Sequence, residues 1–187
     1  MLFKRAGEKH ALAIAMTGVK LGDRLLQIGC TDSTLLAAIS SKVGMSGRAC
    51  LLAGTDDEAA RARRSAERAG VLLEVEKSPL SHFPYEDRAF DLIVIDNQDG
   101  LIAGMKPEQR VAALQQARRT LAPRGRIVII ERAPRAGLGA VLSRTTAAVD
   151  PHYQNTGGAV TALRAEGFKA VRQLAERDGL SFFEGIV

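Results

Sequence analysis

The feature that most constrains the fold is the alternation of short apolar runs with longer helical segments along the first two thirds of the chain. Five runs are largely hydrophobic, as expected for strands buried on both faces: Arg24–Cys30, Arg48–Gly54, Val71–Lys77, Phe90–Asp96 and Arg126–Glu131. Because strands that alternate with helices build parallel sheets, the sequence predicts an α/β sheet covered by helices on both faces.

Local signals predict where the intervening helices begin and end. The segment "DDEAARARRSAERAG" after the second strand is closed by Gly70, a residue typical of helix C-termini. Pro107 stands in the first turn of "PEQRVAALQQARRTLA", where proline is well tolerated. The spacing of Val111, Leu114 and Leu121 predicts one apolar stripe that faces the sheet,.

The last third of the chain has a different character. Residues 138–149 and 157–168 each have a helical pattern, with the polar loop "DPHYQNTGG" between them. Two β-like runs around "RDG" then predict a terminal hairpin,. A chain of 187 residues is long enough for one well-buried core,. We therefore predict one domain over 1–187, with an N-terminal helix within 1–20, a sheet core over 21–131, and helices and a hairpin over 132–187.

The positive charge of the chain raises the question of a nucleic-acid partner. The net charge is +5, and the densest basic cluster is "RARRSAERAG" at 61–70. Aromatic residues make up 4% of the chain and none interleaves with that cluster, so a stacking platform for bases is missing. We interpret the cluster as the solvated face of a helix and do not expect nucleic acid as a partner.

The apolar runs and the cysteines bear on the cellular location. No apolar run approaches the roughly 20 residues that a membrane-spanning helix needs. The two cysteines, Cys30 and Cys50, do not form a disulfide framework, which fits a reducing compartment. The sequence thus predicts a cytoplasmic protein without a membrane span.

Four stretches carry a resemblance to one enzyme family. They are "VKLGDRLLQIGCTDSTLLAAIS", "GRACLLAGTDDEAARARRSAERAG", "FPYEDRAFDLIVID" and "ARRTLAPRGRIVIIERAP". Their pattern resembles the class I S-adenosylmethionine-dependent methyltransferases, and within them the ubiquinone and menaquinone methyltransferases, which act on small molecules. The resemblance implies a Rossmann-like sheet of seven strands in the order 3-2-1-4-5-7-6, with strand seven antiparallel.

The resemblance also implies where S-adenosylmethionine would bind. The cofactor of the family lies over the carboxyl ends of strands one and two, where the strand order reverses, as is general for open α/β sheets. In the turn after strand one, the family's acid falls on Gln27, and its three glycines fall on Gly29, Thr31 and Ser33. The predicted cofactor-binding residues of this turn are Gln27, Gly29, Cys30, Thr31 and Asp32.

After the second strand, the resemblance places Ala53, followed by Gly54, where the family has an acid that binds both ribose hydroxyls. The two acids that follow Thr55 are nearby substitutes. However, Thr55 with Glu58 three residues later forms a capping-box pattern, and acids in a first turn favour the helix dipole,. We prefer the capping interpretation for these acids.

After the third strand, the family often has an Asp that receives the adenine amino group. Pro79 aligns with it, and the predicted contacts of this loop are Ser78, Pro79 and Leu80. The loss of two such carboxylates without replacement would weaken cofactor binding by roughly 10² to 10⁴. The cofactor motifs are therefore degenerate at three points.

Asp96 and Asn97, at the end of the fourth strand, align with acceptor-facing residues of the family, and Asp96 also borders the cofactor. The alternative is a simple strand-end turn, because "DNQDG" is rich in turn formers,. Metal-dependent relatives need a further Asp-Asn pair after strand five, where this chain has Glu131 and Arg132. We expect no metal.

Two hypotheses about function remain open. In the first, the chain is an S-adenosylmethionine-dependent methyltransferase with a divergent cofactor site and a small-molecule acceptor. In the second, it is an inactive pseudo-methyltransferase that serves as a binding or assembly subunit for a protein partner. A fold by itself does not decide between them.

Overall fold

A seven-stranded sheet organises the molecule. The computed structural model describes residues 10–133 and 150–187. Its strand order is β3-β2-β1-β4-β5-β7-β6; β7 is antiparallel to both β5 and β6, and the other pairs are parallel. The predicted fold is therefore confirmed. The strands are β1 Arg24–Ile28, β2 Arg48–Ala53, β3 Glu74–Lys77, β4 Phe90–Asp96, β5 Leu121–Arg132, β6 Lys169–Arg177 and β7 Leu180–Ile186.

Helices cover both faces of this sheet. They are α1 Ala11–Thr17, α2 Ser33–Ser40, α3 Asp56–Ala69, α4 Pro107–Thr120, α5 Pro151–Asn155 and α6 Gly158–Ala165. Successive strand residues point to opposite faces, so Leu25 packs with α1 and α2, while Leu26 packs with α4 and α6. A core thus packs on each face of the middle strands. The parallel pairing of β1 with β4 makes their carboxyl ends neighbours.

The first helix turn of α3 confirms half of the predicted capping box. The hydroxyl of Thr55 accepts a hydrogen bond from the Glu58 backbone N–H at 3.1 Å. The helix faces the sheet with small residues, Ala59, Ala62 and Ala66, while its arginines lie on the exposed side. It ends at Gly70, which has a left-handed conformation.

Replacement of Gly70 by alanine is expected to lower the free energy of unfolding by about 1 kcal/mol, because φ is +65° there and an L-residue is disfavoured in that region,. An added Cβ would meet nothing within 4 Å, so the loss reflects backbone conformation alone. Gly70→Asn is expected to lose less, since Asn tolerates the left-handed region. Urea denaturation of the three proteins measures both differences; equal stability of Ala and Asn variants would contradict the explanation.

The predicted apolar stripe of α4 is wrong at two positions, because Leu121 is buried as the first residue of β5 and Val111 is not buried. Leu114 is buried, but Val111 is 39% exposed. Arg110, only 7% exposed, lies inward next to it. Its guanidinium can be buried because it pairs with Asp150 at 3.0 Å and stacks on a tyrosine ring, and buried charges require such partners.

Other element boundaries also differ from the prediction. The third strand begins at Glu74, three residues later than predicted. The predicted polar loop at 150–158 contains α5, whose first turn is capped by the Asp150 side chain on the His152 N–H at 2.9 Å. The terminal hairpin is confirmed as β6 and β7. The helix predicted over 138–149 lies outside the described residues.

Within 10–133 and 150–187, no helix has the length and apolar character needed to cross a bilayer.

Candidate functional site

The turn after β1 packs directly against the end of β4. Gly29 has φ +78°, and a Cβ at this residue would lie 2.7 Å from Leu101 Cδ2 and 3.1 Å from the Asp96 carbonyl oxygen. Only glycine combines this φ with so close an approach. The one family glycine that the sequence retains is therefore the one that the geometry requires.

Asp96 binds the backbone of that turn. Its Oδ2 accepts hydrogen bonds from the N–H groups of Thr31 at 2.9 Å and Asp32 at 3.5 Å. Its Oδ1 accepts from the side-chain amide of Gln98 at 3.1 Å. Burial raises the pKa of Asp96, and these hydrogen bonds oppose the rise. The carboxyl group therefore joins the ends of β1 and β4, the two strands that meet where the strand order reverses.

A second carboxylate, which the sequence analysis assigned only to helix capping, binds the same turn. Glu58 Oε1 accepts a short hydrogen bond from the Cys30 N–H, and Oε2 accepts from the Gly54 N–H at 2.7 Å. Ala53, at the position of the family's acid, is fully buried. The nearby Asp56 pairs instead with Lys77 at 2.8 Å. Glu58 thus places an acid between the ends of β1 and β2, five residues later in the chain than the resemblance implied.

Two more predicted residues of the turn have structural partners. Gln27 is 1% exposed and donates from Nε2 to the Gly29 carbonyl at 3.1 Å, while its Oε1 has no partner among the described residues. Asp32 caps α2, because its Oδ1 accepts from the N–H groups of Thr34 and Leu35 at 2.9 and 3.2 Å. Both side chains hold the shape of the turn.

The loop after β3 makes its own contacts. The hydroxyl of Ser78 donates to the His82 carbonyl at 2.6 Å, and the Pro79 carbonyl accepts from the His82 N–H at 2.9 Å. Leu80 packs against the core on the α4 face. In the described part of the chain, no hydrogen bond joins these three predicted residues to the turn after β1.

Asn97 is occupied by the protein itself. Its Nδ2 donates to Glu131 Oε1 at 2.7 Å, and its Oδ1 accepts from the Ile102 N–H at 2.8 Å. The residue is 3% exposed. These bonds make Asn97 a residue that positions Glu131 and the following loop, so its predicted acceptor-facing role would act through Glu131.

Glu131 is the centre of a buried polar cluster that the sequence analysis missed. Tyr153 donates from its hydroxyl to Glu131 Oε1 at 2.6 Å. Arg110 lies over the Tyr153 ring at 4.6 Å from its centroid and pairs with Asp150. The residues come from β5, α4 and the start of α5, so sequence spacing gives no sign of their contact. Burial raises the pKa of Glu131, although the hydrogen bonds from Tyr153 and Asn97 oppose it.

The raised pKa of Glu131 predicts a pH-dependent stability difference between wild type and Glu131→Gln. An acid whose pKa is higher in the folded state binds more protons there, so the free energy of unfolding falls as pH rises from the ordinary glutamate pKa of about 4.3 through the folded value. The variant lacks this titration, and its stability should fall less over that range. Urea denaturation across the pH range measures it; parallel profiles would contradict the prediction.

A cavity of about 440 Å³ opens at the ends of β1, β4 and β5. Its size is in the range of small-molecule pockets. The polar residues that line it come from five different segments: His10, Asp32, Gln98, Arg132 and Asp178. Within 10–133 and 150–187, no cluster of three or more His, Cys, Asp or Glu side chains could hold a metal ion.

Comparison with known sequences gives one family. A family model described as "Methyltransferase domain" matches residues 25–125, which is more than half of the chain. The match covers β1 to β4, α4 and the start of β5, including every residue predicted to bind the cofactor. No curated protein matches the sequence.

Solved structures share the fold over almost the whole chain. A S-adenosylmethionine-dependent methyltransferase from Aquifex aeolicus has a TM-score of 0.73 and 18% identity, covering 95% of this chain and 88% of the other. A complex between the Haloferax volcanii Trm112 methyltransferase activator and a proposed methyltransferase gives a TM-score of 0.70 and 16% identity, covering 99% of this chain and 90% of the other. PigF, solved with S-adenosylhomocysteine (SAH), has a TM-score of 0.64 and 18% identity, and the match covers 96% of this chain and 56% of PigF.

Proposed function

The chain belongs to the methyltransferase domain family, and from this premise we propose that it transfers a methyl group from S-adenosylmethionine to a small-molecule acceptor through a divergent cofactor site. The predicted resemblance to class I methyltransferases is confirmed by the family match and the sheet order. The ubiquinone-like subgroup stays a prediction. In this proposal, residues 21–131 form the cofactor-binding part of a single domain.

The observation that carries the proposal is the carboxylate of Glu58 between the ends of β1 and β2. It lies on the Cys30 and Gly54 N–H groups, at the same carboxyl edge of the sheet as the crevice between β1 and β4 where open α/β sheets bind their ligands. The tight approach of Gly29 to Asp96 keeps the turn after β1 in shape. These features fit S-adenosylmethionine, with Glu58 receiving the ribose hydroxyls in place of the missing acid at Ala53.

When bound, S-adenosylmethionine supplies an electrophilic methyl group. The chain's own contribution is mainly positional, since holding an acceptor close and in line supplies much of the rate of a displacement. Asp96 would fix the turn against β4, and Asn97 holds Glu131 on the α4 side of the sheet. An acceptor that must lose a proton needs a base. Glu131 does not line the neighbouring cavity, so it would serve only an acceptor bound on the α4 side of the sheet.

A small acceptor is supported by the dimensions of the neighbouring cavity, about 440 Å³. The cavity begins next to Asp32 in the cofactor turn and extends to Arg132 and Asp178. Charged groups of both signs at its walls favour a polar or zwitterionic acceptor over a purely apolar one.

A second candidate, a pseudo-methyltransferase with a binding role, is favoured by one observation. The N–H groups of Cys30, Thr31 and Asp32 are all bonded to the chain's own carboxylates. A turn that is satisfied internally does not need a ligand to satisfy it. In that case the chain would contact a protein partner and leave the crevice without a cofactor.

Calorimetric titration with S-adenosylmethionine and SAH tests the proposal. Binding with a micromolar dissociation constant would support it and exclude the pseudo-methyltransferase. No heat of binding up to millimolar ligand would overturn it. The structural neighbour PigF carries SAH, which supports this choice of probe.

A further inference from the structure

A large groove lies on the outer side of the helical layer formed by α1, α2 and α3. Its volume is about 1040 Å³. The apolar part of its surface consists mainly of small side chains: Ala11, Ile14, Ala15, Ala37, Ala38 and Ala69. The groove begins at Ser33 and Thr34, next to the cofactor turn, and extends to Lys42. Neither the proposed reaction nor the acceptor cavity uses this surface.

Basic side chains border the groove without counter-charges. Arg61, Arg64 and Arg68 lie on its α3 side and Lys42 at its far end, and all four are exposed. No Asp or Glu is among the lining residues, and none of the four makes an ion pair within 10–133 and 150–187. Charge complementarity therefore favours an acidic occupant.

The arginines form a row. Residues three and four apart are neighbours on a helix surface, so Arg61, Arg64 and Arg68 follow one another along α3. The rise of an α-helix spreads these three positions over about 10 Å. A ligand with one anionic head group would engage only part of such a row, whereas acids spaced along another helix would match it.

We propose that this groove binds an acidic amphipathic helix of a partner protein. The small side chains of α1 and α2 would admit the apolar face of that helix at close range, and the arginine row would pair with acids along its edge. This is a helix-in-groove mode, in which apolar anchors supply affinity and flanking charges supply specificity.

Two other occupants are disfavoured by charge. The first nine residues of this chain, "MLFKRAGEK", contain Lys4, Arg5 and Lys9 against the single acid Glu8, so they would meet the arginine row with like charge. A second copy of the chain carries the same net charge of +5. Both remain outcomes of the experiment.

Fluorescence anisotropy with two synthetic helical peptides tests the proposal on the full-length chain. Both peptides carry the same leucine and alanine stripe; one has glutamates beside the stripe and the other has lysines. We expect the acidic peptide to bind with a micromolar dissociation constant and more weakly as salt rises. The lysine peptide should bind at least about tenfold more weakly, because like charges repel at this surface.

Charge-reversal variants locate the binding. Arg64→Glu should weaken the acidic peptide about fivefold, because an attractive pair becomes repulsive. Arg63→Glu is the matched control, since Arg63 lies on the same helix outside the groove and donates to the Val75 carbonyl at 3.1 Å. It should change binding less than twofold. Thermal unfolding of both variants confirms that they remain folded.

Several results would overturn the proposal: no binding of the acidic peptide, equal binding of both peptides, or equal loss in the Arg63 and Arg64 variants. A concentration-dependent dimer in analytical ultracentrifugation that Arg64→Glu abolishes would assign the groove to a second copy instead. Tighter peptide binding after removal of residues 1–9 would assign the groove to the chain's own N-terminus instead. The proposal does not depend on S-adenosylmethionine binding. Calorimetry with SAH therefore tests only the proposed function, and peptide anisotropy tests only the groove.

Discussion

Replacement of Glu58 by glutamine is expected to weaken SAH binding by roughly tenfold to hundredfold. In the wild type, the two carboxylate oxygens accept from Cys30 and Gly54 N–H groups, and each oxygen has a further lone pair that a ribose hydroxyl could use. A glutamine keeps the shape but lacks the negative charge, and its NH₂ group cannot accept. Hydrogen bonds from ribose hydroxyls to this group would therefore lose their charge assistance. Isothermal calorimetry measures the change directly.

Two comparisons assign the loss to the ribose. The 2′,3′-dideoxy analogue of SAH lacks both hydroxyls, so it should bind wild type and Glu58→Gln with similar affinity. Asp57→Asn is the matched control, because Asp57 lies in the same first turn of α3 and is exposed. This control should bind SAH as wild type does. An equal loss for SAH and for its dideoxy analogue would show that Glu58 acts only through the shape of the turn.

The sequence predicts the fold well because the fold depends on periodic patterns. Apolar runs buried on both faces, helices between them and a terminal hairpin identify seven strands and their order, given the resemblance. The boundaries are less predictable where charges interrupt a run. Leu72 is 83% exposed, so the apolar start of "VLLEVEK" is not part of a buried strand. An apolar residue next to a strand is therefore weak grounds for extending it.

The sequence predicts where the site lies, but it does not predict which side chains contact one another there. The strand ends that form it follow from topology, and the structure brings Gly29, Asp32 and Asp96 together there. Glu58 was assigned to a capping box because that motif is local, and its bond to Cys30 spans 28 residues. Contacts of this kind depend on how α3 packs on β1 and β2, which sequence spacing does not encode.

The polar cluster around Glu131 illustrates the same limit. Arg110 occupies a buried position in α4, although the predicted apolar stripe includes its neighbour Val111 instead. Its partners, Asp150 and Tyr153, lie 40 or more residues away in the chain. Burial of a cation in a helix requires partners that compensate its desolvation. A local sequence pattern does not contain distant partners, so it assigns such a residue to the surface.

Replacement of Gly29 by alanine is expected to lower the free energy of unfolding by roughly 2 to 5 kcal/mol. The left-handed backbone accounts for about 1 to 2 kcal/mol. The remainder is the overpacking of a Cβ placed 2.7 Å from Leu101 Cδ2 and 3.1 Å from the Asp96 carbonyl oxygen, for which about 1 to 3 kcal/mol is typical. Because a backbone atom cannot rotate away as a side chain can, relief requires the turn to move away from β4.

That movement would also stretch the bonds from Thr31 and Asp32 to Asp96, so SAH affinity should fall together with stability. Gly54→Ala is the matched control in the neighbouring loop, where φ is not positive and the nearest atom to an added Cβ, Glu58 Oε2, lies at an ordinary 3.6 Å. We expect Gly54→Ala to unfold within about 0.5 kcal/mol of wild type. Urea denaturation compares the two substitutions. Equal stability would mean that the turn after β1 tolerates a side chain, and the close approach of Gly29 to Asp96 would then not explain why this glycine alone is retained.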